Sequence, residues 1–490
     1  KGVQVIITPA NKKKGNSLAS IISTSKYEVY FTEYANYYSL VNNGYVEDIT
    51  DVVTASLDGE QKSIQDKLSQ AQQDYYSIQG EDGQNHYYGV PHYASYASNL
   101  IYNVELFEAN GYYLAAEPAG DALEDYFVSK NNPTKSVGPD GQSGTWDDGL
   151  PRTYDEFYML CDFIAGDGVT PLVWSGADHG QYLNLLDAAL AVEQNGYEQT
   201  MLNYTLDGSA TNLCKVKNEK LVKDNAPTQI TKANGYELAR QEGKYYATEF
   251  IRQIVSEGAY HYSESLLSSF SHIDAQNKFV TCRNNSEKVA MLVDGIWWEN
   301  EADSTFAAMA SKNGDQYSRA NSNYAVMPFP KATEEDAKKA ESQDKPHTLY
   351  DECFSLCFMK KGLTGGKREV AAEFIKFCNT DVSLVEFTET TSTYKALDYS
   401  LTEEEKSKLT AFGKSVSNLR DSSQVVYPCA PNETFLNNAT FFETDTLWTS
   451  TVLKGIDQNF PSQVFMKDST SAAEYFDGMY EYFKKNWGAL

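Results

Sequence analysis

Flat aromatic side chains and carboxylates stand together at several turns of this sequence. Trp297 and Trp298 are neighbours in "DGIWWEN", Glu33 and Tyr34 follow the strand-like "VYFT", and Trp174, Asp178, His179 and Tyr182 follow the strand-like "TPLVW". Open α/β sheets present ligand contacts beyond the carboxyl ends of their strands, so the second and third groups sit where binding residues gather. Rings beside acidic and amide groups suit a solute that is half apolar and half hydroxylated. A pyranose, with C–H faces and a hydroxyl rim, is such a solute. Of two adjacent tryptophans one is expected to face a core and the other a cleft, with Trp297 the better cleft candidate.

Catalytic signatures are a different matter. HExxH, GxxxxGK[ST], G-x-S-x-G and the glycine-rich dinucleotide fingerprint do not occur in the sequence. Glycoside hydrolysis is the serious enzymatic rival, because it needs only two carboxylates flanking one bond, and the chain has 68 Asp plus Glu. Most of those are expected to be solvated surface groups. No cofactor and no metal cluster is indicated: the six His are scattered, and "DGQSGTWDDG" lacks the alternating acids and closing Glu of a calcium loop.

Composition narrows the class. A chain of 490 residues exceeds one ordinary hydrophobic core and predicts two lobes. Its 35 Tyr supply amphipathic contact surface. Lys plus Arg number 41 against 68 Asp plus Glu, a net charge of -27 that repels nucleic acid and anionic membrane surfaces. No apolar run is long enough to span a bilayer. The seven Cys, at 161, 214, 282, 353, 357, 378 and 429, form no CxxC pair and no disulfide framework; in "CFSLCFM" they read as core residues of a strand. N-x-S/T sequons begin at Asn203, Asn284, Asn432 and Asn438 and carry no weight without a eukaryotic secretory context.

The elements that position these residues follow from periodicity. The first part predicts a strand at Val3 to Ile7, a helix near Ser17 to Ser23, a strand at Tyr27 to Phe31 and a helix near Tyr37 to Asn43, an alternation that implies a parallel sheet covered on both faces. A helix from Gln61 to Tyr76, a hairpin-like pair "NHYYGVPHYAS" and "NLIYN", and a loop over Asn131 to Gly149 come next. Helices are predicted after a Thr153 cap with Glu156 completing a capping box, and at Gln181 to Glu193, Gly235 to Ser256, Ser286 to Leu292, Arg368 to Cys378 and Ala472 to Asn486. "NYAVMPFP" and "TLYDECFSLCFMKKG" read as strands, so sheet returns after a helical stretch and the chain crosses between lobes more than once, which makes a hinge.

Several motifs in order, "YEVYFTEYANYYSLVNNGYVEDIT", "YGVPHYASYASNLIYNVELFEANGY", "PRTYDEFYMLCDFIAGDGVTPLVWSG", "EKVAMLVDGIWWENE", "NYAVMPFP" and "AAEFIKFCNTD", resemble the extracellular solute-binding proteins of carbohydrate ABC importers, the maltose-binding-protein-like family. The resemblance implies a type II periplasmic-binding-protein fold: two α/β lobes, hinged, closing on a sugar or oligosaccharide that is handed to permease subunits. It places residues 1–150 plus 326–378 in an N-lobe and 151–325 plus 379–490 in a helix-rich C-lobe. It also implies a monomer outside the cytoplasm, lipid-anchored or periplasmic, without catalysis. The family's usual strand and helix ahead of "GVQVII" are missing here. Trp297 matches the family's stacking position, and Tyr96, with Tyr93, lies in the segment that lines the cleft in relatives. Asp351 in "LYDECF" and Phe442 in "ATFFETD" complete the candidates. The rival readings are a glycoside hydrolase or lyase using paired carboxylates, and a surface adhesin.

Overall fold

The computed structural model describes residues 4–8, 18–32, 37–92, 98–217, 220–351, 355–430, 435, 447–448, 461–467 and 469–489. The strands that matter to function are β1 (Val29–Thr32), β2 (Val90–Pro91), β3 (Asn99–Asn103), β4 (Thr170–Val173), β5 (Val289–Asp294), β6 (Tyr324–Met327), β7 (His347–Tyr350), β8 (Leu356–Met359) and β9 (Ser423–Val426).

They form two main sheets. In the first, β8 lies between β1 and β2 and runs antiparallel to both. In the second, the order is β6-β3-β5-β4, with β5 parallel to β4 and antiparallel to β3. A short parallel pair, β7 and β9, stands apart. The first sheet is therefore antiparallel and the second mixed, not purely parallel as the strand and helix alternation suggested.

Packing explains why the second sheet reads as unbroken apolar runs. Leu100, Tyr102, Leu172, Met291 and Val293 enter one buried cluster, whereas Ile101, Val173, Leu292 and Val326 enter another. Successive side chains point to opposite faces of a strand, so both faces of this sheet are covered. The first sheet belongs to a separate cluster drawn from Ile22 to Val90 and Leu356 to Leu397, including Tyr30, Tyr37, Phe358 and Ile375.

The helices include α1 (Leu18–Thr24), α2 (Tyr37–Asn42), α3 (Gln70–Tyr76), α4 (Tyr154–Gly166), α5 (His179–Thr205), α6 (Glu242–Ser256), α7 (His272–Thr281), α8 (Trp298–Glu301), α9 (Gly366–Cys378), α10 (Asp381–Thr391), α11 (Ala411–Asp421) and α12 (Ala472–Asn486). Thr153 caps α4 as expected, accepting from the Glu156 amide, but the Glu156 carboxylate reaches the Arg152 amide and so does not close a capping box. The C-terminal helix falls where its periodicity placed it.

Several expectations are corrected. "EKVAMLVD" is strand β5 and not a helix; a short apolar run is ambiguous by period, and pairing with β3 and β4 decides it. The proposed hairpin does not form: Asn85–Tyr87 pairs with Ser77–Gln79, β2 with β8, and β3 with β5 and β6. The helix expected over 61–76 begins only at Gln70, because Lys67 is buried and paired with Glu60 and Asp381 at 2.6 and 2.7 Å. The stretch 235–256 breaks at Gln241 into a 3-10 turn and α6. Gln4–Thr8 is not a strand, and Val5, Ile6 and Ile7 are exposed.

Cys357 is buried in β8, in keeping with a core strand, while Cys353 lies outside the described residues. Among the described residues no helix is long and apolar enough to cross a membrane, and no group of His, Cys, Asp and Glu is arranged to hold a metal ion.

Candidate functional site

One wall of the site is the edge of the second sheet. Because β4 and β5 are parallel, with Val173 opposite Leu292, their carboxyl ends finish together. Strand β3 starts at that same edge, Asn99 opposite Asp294. Whatever follows β4 and β5, or precedes β3, is thereby gathered in one place.

After β5, Gly295 lets the chain turn beneath Trp297. A Cβ at residue 295 would stand 2.3 to 2.4 Å from three indole carbons, so only glycine allows the ring to fold back on its own backbone. Trp297 is half-buried against the larger cluster, to which the buried Tyr182 also belongs. Ser98 ties the start of β3 to the same helix by donating to the Tyr182 carbonyl at 2.5 Å. Asp178, just ahead of α5, accepts from the Ser175 hydroxyl at 3.1 Å, and its carboxylate lies 3.1 Å from His272 Nδ1.

Beneath them Asp294 is buried. Its two oxygens accept from the Gly295 amide at 2.7 Å and from Gln276 Nε2 at 3.0 Å. Burial, with Glu301 and Asp178 nearby, pushes its carboxyl well above the usual carboxylate range.

The other wall is the edge of the first sheet. Strands β1 and β2 both run antiparallel to β8 and hence parallel to each other, so their carboxyl ends coincide. Phe31 and His92 meet there, ring centroids 4.3 Å apart and planes 52° apart. Phe387 of α10 lies 6.4 Å from His92 on another side. Burial, and the Lys395 ammonium nearby, hold the His92 imidazole down to about 3, so it is neutral throughout the physiological range. Lys395 itself donates to the Cys378 carbonyl at 2.9 Å, where a cation complements the end of α9.

The two walls are tied together. His92 at the first edge and Ser98 at the second are six residues apart in sequence and so cannot lie more than about 21 Å from each other. Asn300, three residues after Trp297, donates to the Thr391 carbonyl at 2.6 Å, and Thr391 in turn donates its hydroxyl to the Phe387 carbonyl at 2.7 Å. A short path of contacts thus runs from Trp297 through α8 and α10 to His92.

Of the residues singled out from sequence, Trp297 and Asp178 come together at one edge. Glu33, Tyr34, Tyr93, Tyr96 and Phe442 lie outside the described residues, as does the side chain of His179. Four expectations are corrected. Tyr182 is buried, 3% exposed, within the larger cluster. Trp298 is fully buried among Phe279, Phe306, Tyr324 and Phe412, with centroids 5.1 to 5.8 Å away. Trp174 is fully buried beside His261 at 5.0 Å. Asp351 is an interior carboxylate held by Arg420 at 3.2 Å. The two indoles turn into packing, where their apolar area is worth more than on a wet rim, whereas burial of the Asp351 carboxylate is offset by Arg420.

Phe31, His92 and Phe387 were missed. The strand-end rule that nominated Glu33 would have found Phe31 and His92 if applied at the last residues of each strand. Phe387 has no local signal, because only the fold brings α10 to that edge.

No family model and no curated protein matches the sequence. Among solved structures, the chain is similar to a chitin oligosaccharide binding protein, at 14% identity over 96% of this chain and 86% of that one, with a TM-score of 0.52. It is likewise similar to a protein solved in work on xylan utilization by the thermophilic bacterium Caldanaerobius polysaccharolyticus, at 14% identity over 94% of this chain and 87% of that one, TM-score 0.52. Likeness at this identity establishes the fold: this chain shares the α/β architecture of these proteins over most of its length.

Proposed function

We propose that this protein is the solute-binding component of a carbohydrate ABC importer, holding a sugar or oligosaccharide between two lobes and delivering it to membrane permease subunits. The observation that carries this reading is the convergence of aromatic and polar side chains at the edges of two separately packed sheets, Trp297 and Asp178 on one and Phe31, His92 and Phe387 on the other. Rings offer faces to a pyranose, and Asp178 offers its rim a hydrogen-bond acceptor.

The ordered motifs that resemble the family, and the names of the neighbours that share the fold, support the same solute class. Glu33, Tyr34, Tyr93, Tyr96, His179 and Phe442 remain proposed contacts from the sequence. The lobe limits are part of the proposal: the packing clusters favour a first passage between Val90 and Asn99, earlier than residue 150, and a return between Tyr350 and Leu356. Monomeric action on the outer side of the cytoplasmic membrane, lipid-anchored or periplasmic, follows from this role.

A hydrolase would need an acid and a base flanking one bond. Asp294 and Asp178 are neighbours of that kind, but Asp294 is sealed under Gly295 and Gln276 and is only 1% exposed, which favours binding without turnover. A thermal-shift screen against neutral mono- and oligosaccharides tests the reading. At least one saccharide should raise Tm by several degrees with no reducing ends accumulating over hours; a panel with no shift, or steady release of reducing ends, contradicts it.

A further inference from the structure

The described histidine side chains have partners, with one exception. His86 bonds to Asp48 and Asp82 at 2.6 and 3.0 Å, His261 Nδ1 contacts the Ile254 carbonyl at 3.0 Å, His272 Nδ1 lies 3.1 Å from Asp178, and His347 Nδ1 lies 3.1 Å from Glu193. His92 takes no side-chain hydrogen bond from any described residue; its ring contacts are Phe31 and Phe387. A half-buried ring with no hydrogen-bond partner among the described residues leaves both nitrogens available to a solute.

The backbone around His92 is by contrast fixed. Its amide donates to the Ser355 carbonyl at 3.1 Å, extending the pairing of β2 with β8 by one residue. The imidazole is therefore held at a strand end between two aromatic rings, a preorganised group on a rigid element. A neutral imidazole presents one N–H donor and one nitrogen acceptor, the same pair that a sugar hydroxyl presents in return. Phe31 and Phe387 flank the ring at 4.3 and 6.4 Å between centroids.

We propose that His92 is the first lobe's specificity residue, hydrogen-bonding through its imidazole to a single ring hydroxyl of the bound saccharide. The proposal rests on the saccharide reading and commits that reading to a neutral, hydroxyl-bearing unit at this wall. Phe31 and Phe387 orient the ring, while Lys395, occupied at the end of α9, is not asked to pair with an anionic ligand.

The test uses the best-binding oligosaccharide of the panel and its monodeoxy analogues, titrated by calorimetry into the whole protein and into His92→Phe and His92→Asn. His92→Phe keeps the aromatic contacts and loses both hydrogen-bonding atoms, so Kd should rise about tenfold or more. His92→Asn, which restores a donor and an acceptor, should recover part of the loss. One deoxy position should weaken binding to the native protein yet cost nothing further in His92→Phe, a coupling that a merely structural role would not produce. In the native protein, the 15N resonances of the His92 ring should shift on titration, which reads the contact without any substitution. Native affinity in His92→Phe, or a deoxy series that weakens both proteins alike, overturns the assignment. Failure of the native protein to bind any saccharide removes the saccharide reading itself, and this role with it.

Discussion

Trp297 depends on Gly295 as much as on its own chemistry. The indole folds back over a residue with no Cβ, which leaves room for its half-buried position against the larger cluster. Trp297→Ala should weaken saccharide binding by about 1–3 kcal/mol, roughly tenfold to hundredfold in Kd by calorimetry. Gly295→Ala should do similar damage with Trp297 intact, because a methyl group at 2.3 Å must displace the ring. Asp294 beneath it carries a pH signature. Its carboxyl titrates well above the usual range, so above about pH 4 the folded state binds more protons than the unfolded chain. Stability should therefore fall as pH rises toward that raised value, by at most about 1.4 kcal/mol per pH unit. Asp294→Asn, compared with the native protein in urea melts at pH 5 and pH 8, should show the smaller difference between the two.

Strands and helices place these residues, and here the legibility of the sequence is uneven. The strand ends after "TPLV" and "VYFT" could be read directly, because alternation with short helices predicts strands and strand ends predict contacts. What could not be read was pairing. "MLVD" and "NLIYN" are apolar throughout, being covered on both faces, and their period does not distinguish strand from helix; only the register of β3, β5 and β4 puts Asn99, Asp294 and Trp174 at one edge. Side-chain direction was equally hidden: Trp298 and Trp174 carry site chemistry in their residue type and spend it in aromatic packing. The approach of α10 to α8 is a long-range contact with no sequence signal. It makes its own prediction. Asn300→Ala removes the hydrogen bond to the Thr391 carbonyl and should raise Kd about three- to tenfold with little change in Tm, since a single net hydrogen bond between elements is worth about 1 kcal/mol.

At the scale of the whole molecule, the two sheets have separate cores, and the chain passes between them at His92–Ser98. Two bodies joined by few segments move about those segments, and a solute held by both walls favours the state in which the walls are near. A surface adhesin of the same composition would hold its polymer on one open face and gain nothing from such a change. Small-angle X-ray scattering of the protein alone and saturated with its best saccharide distinguishes the two most directly. The account predicts a smaller radius of gyration in the bound state; a saccharide bound at saturation with the radius unchanged would contradict it.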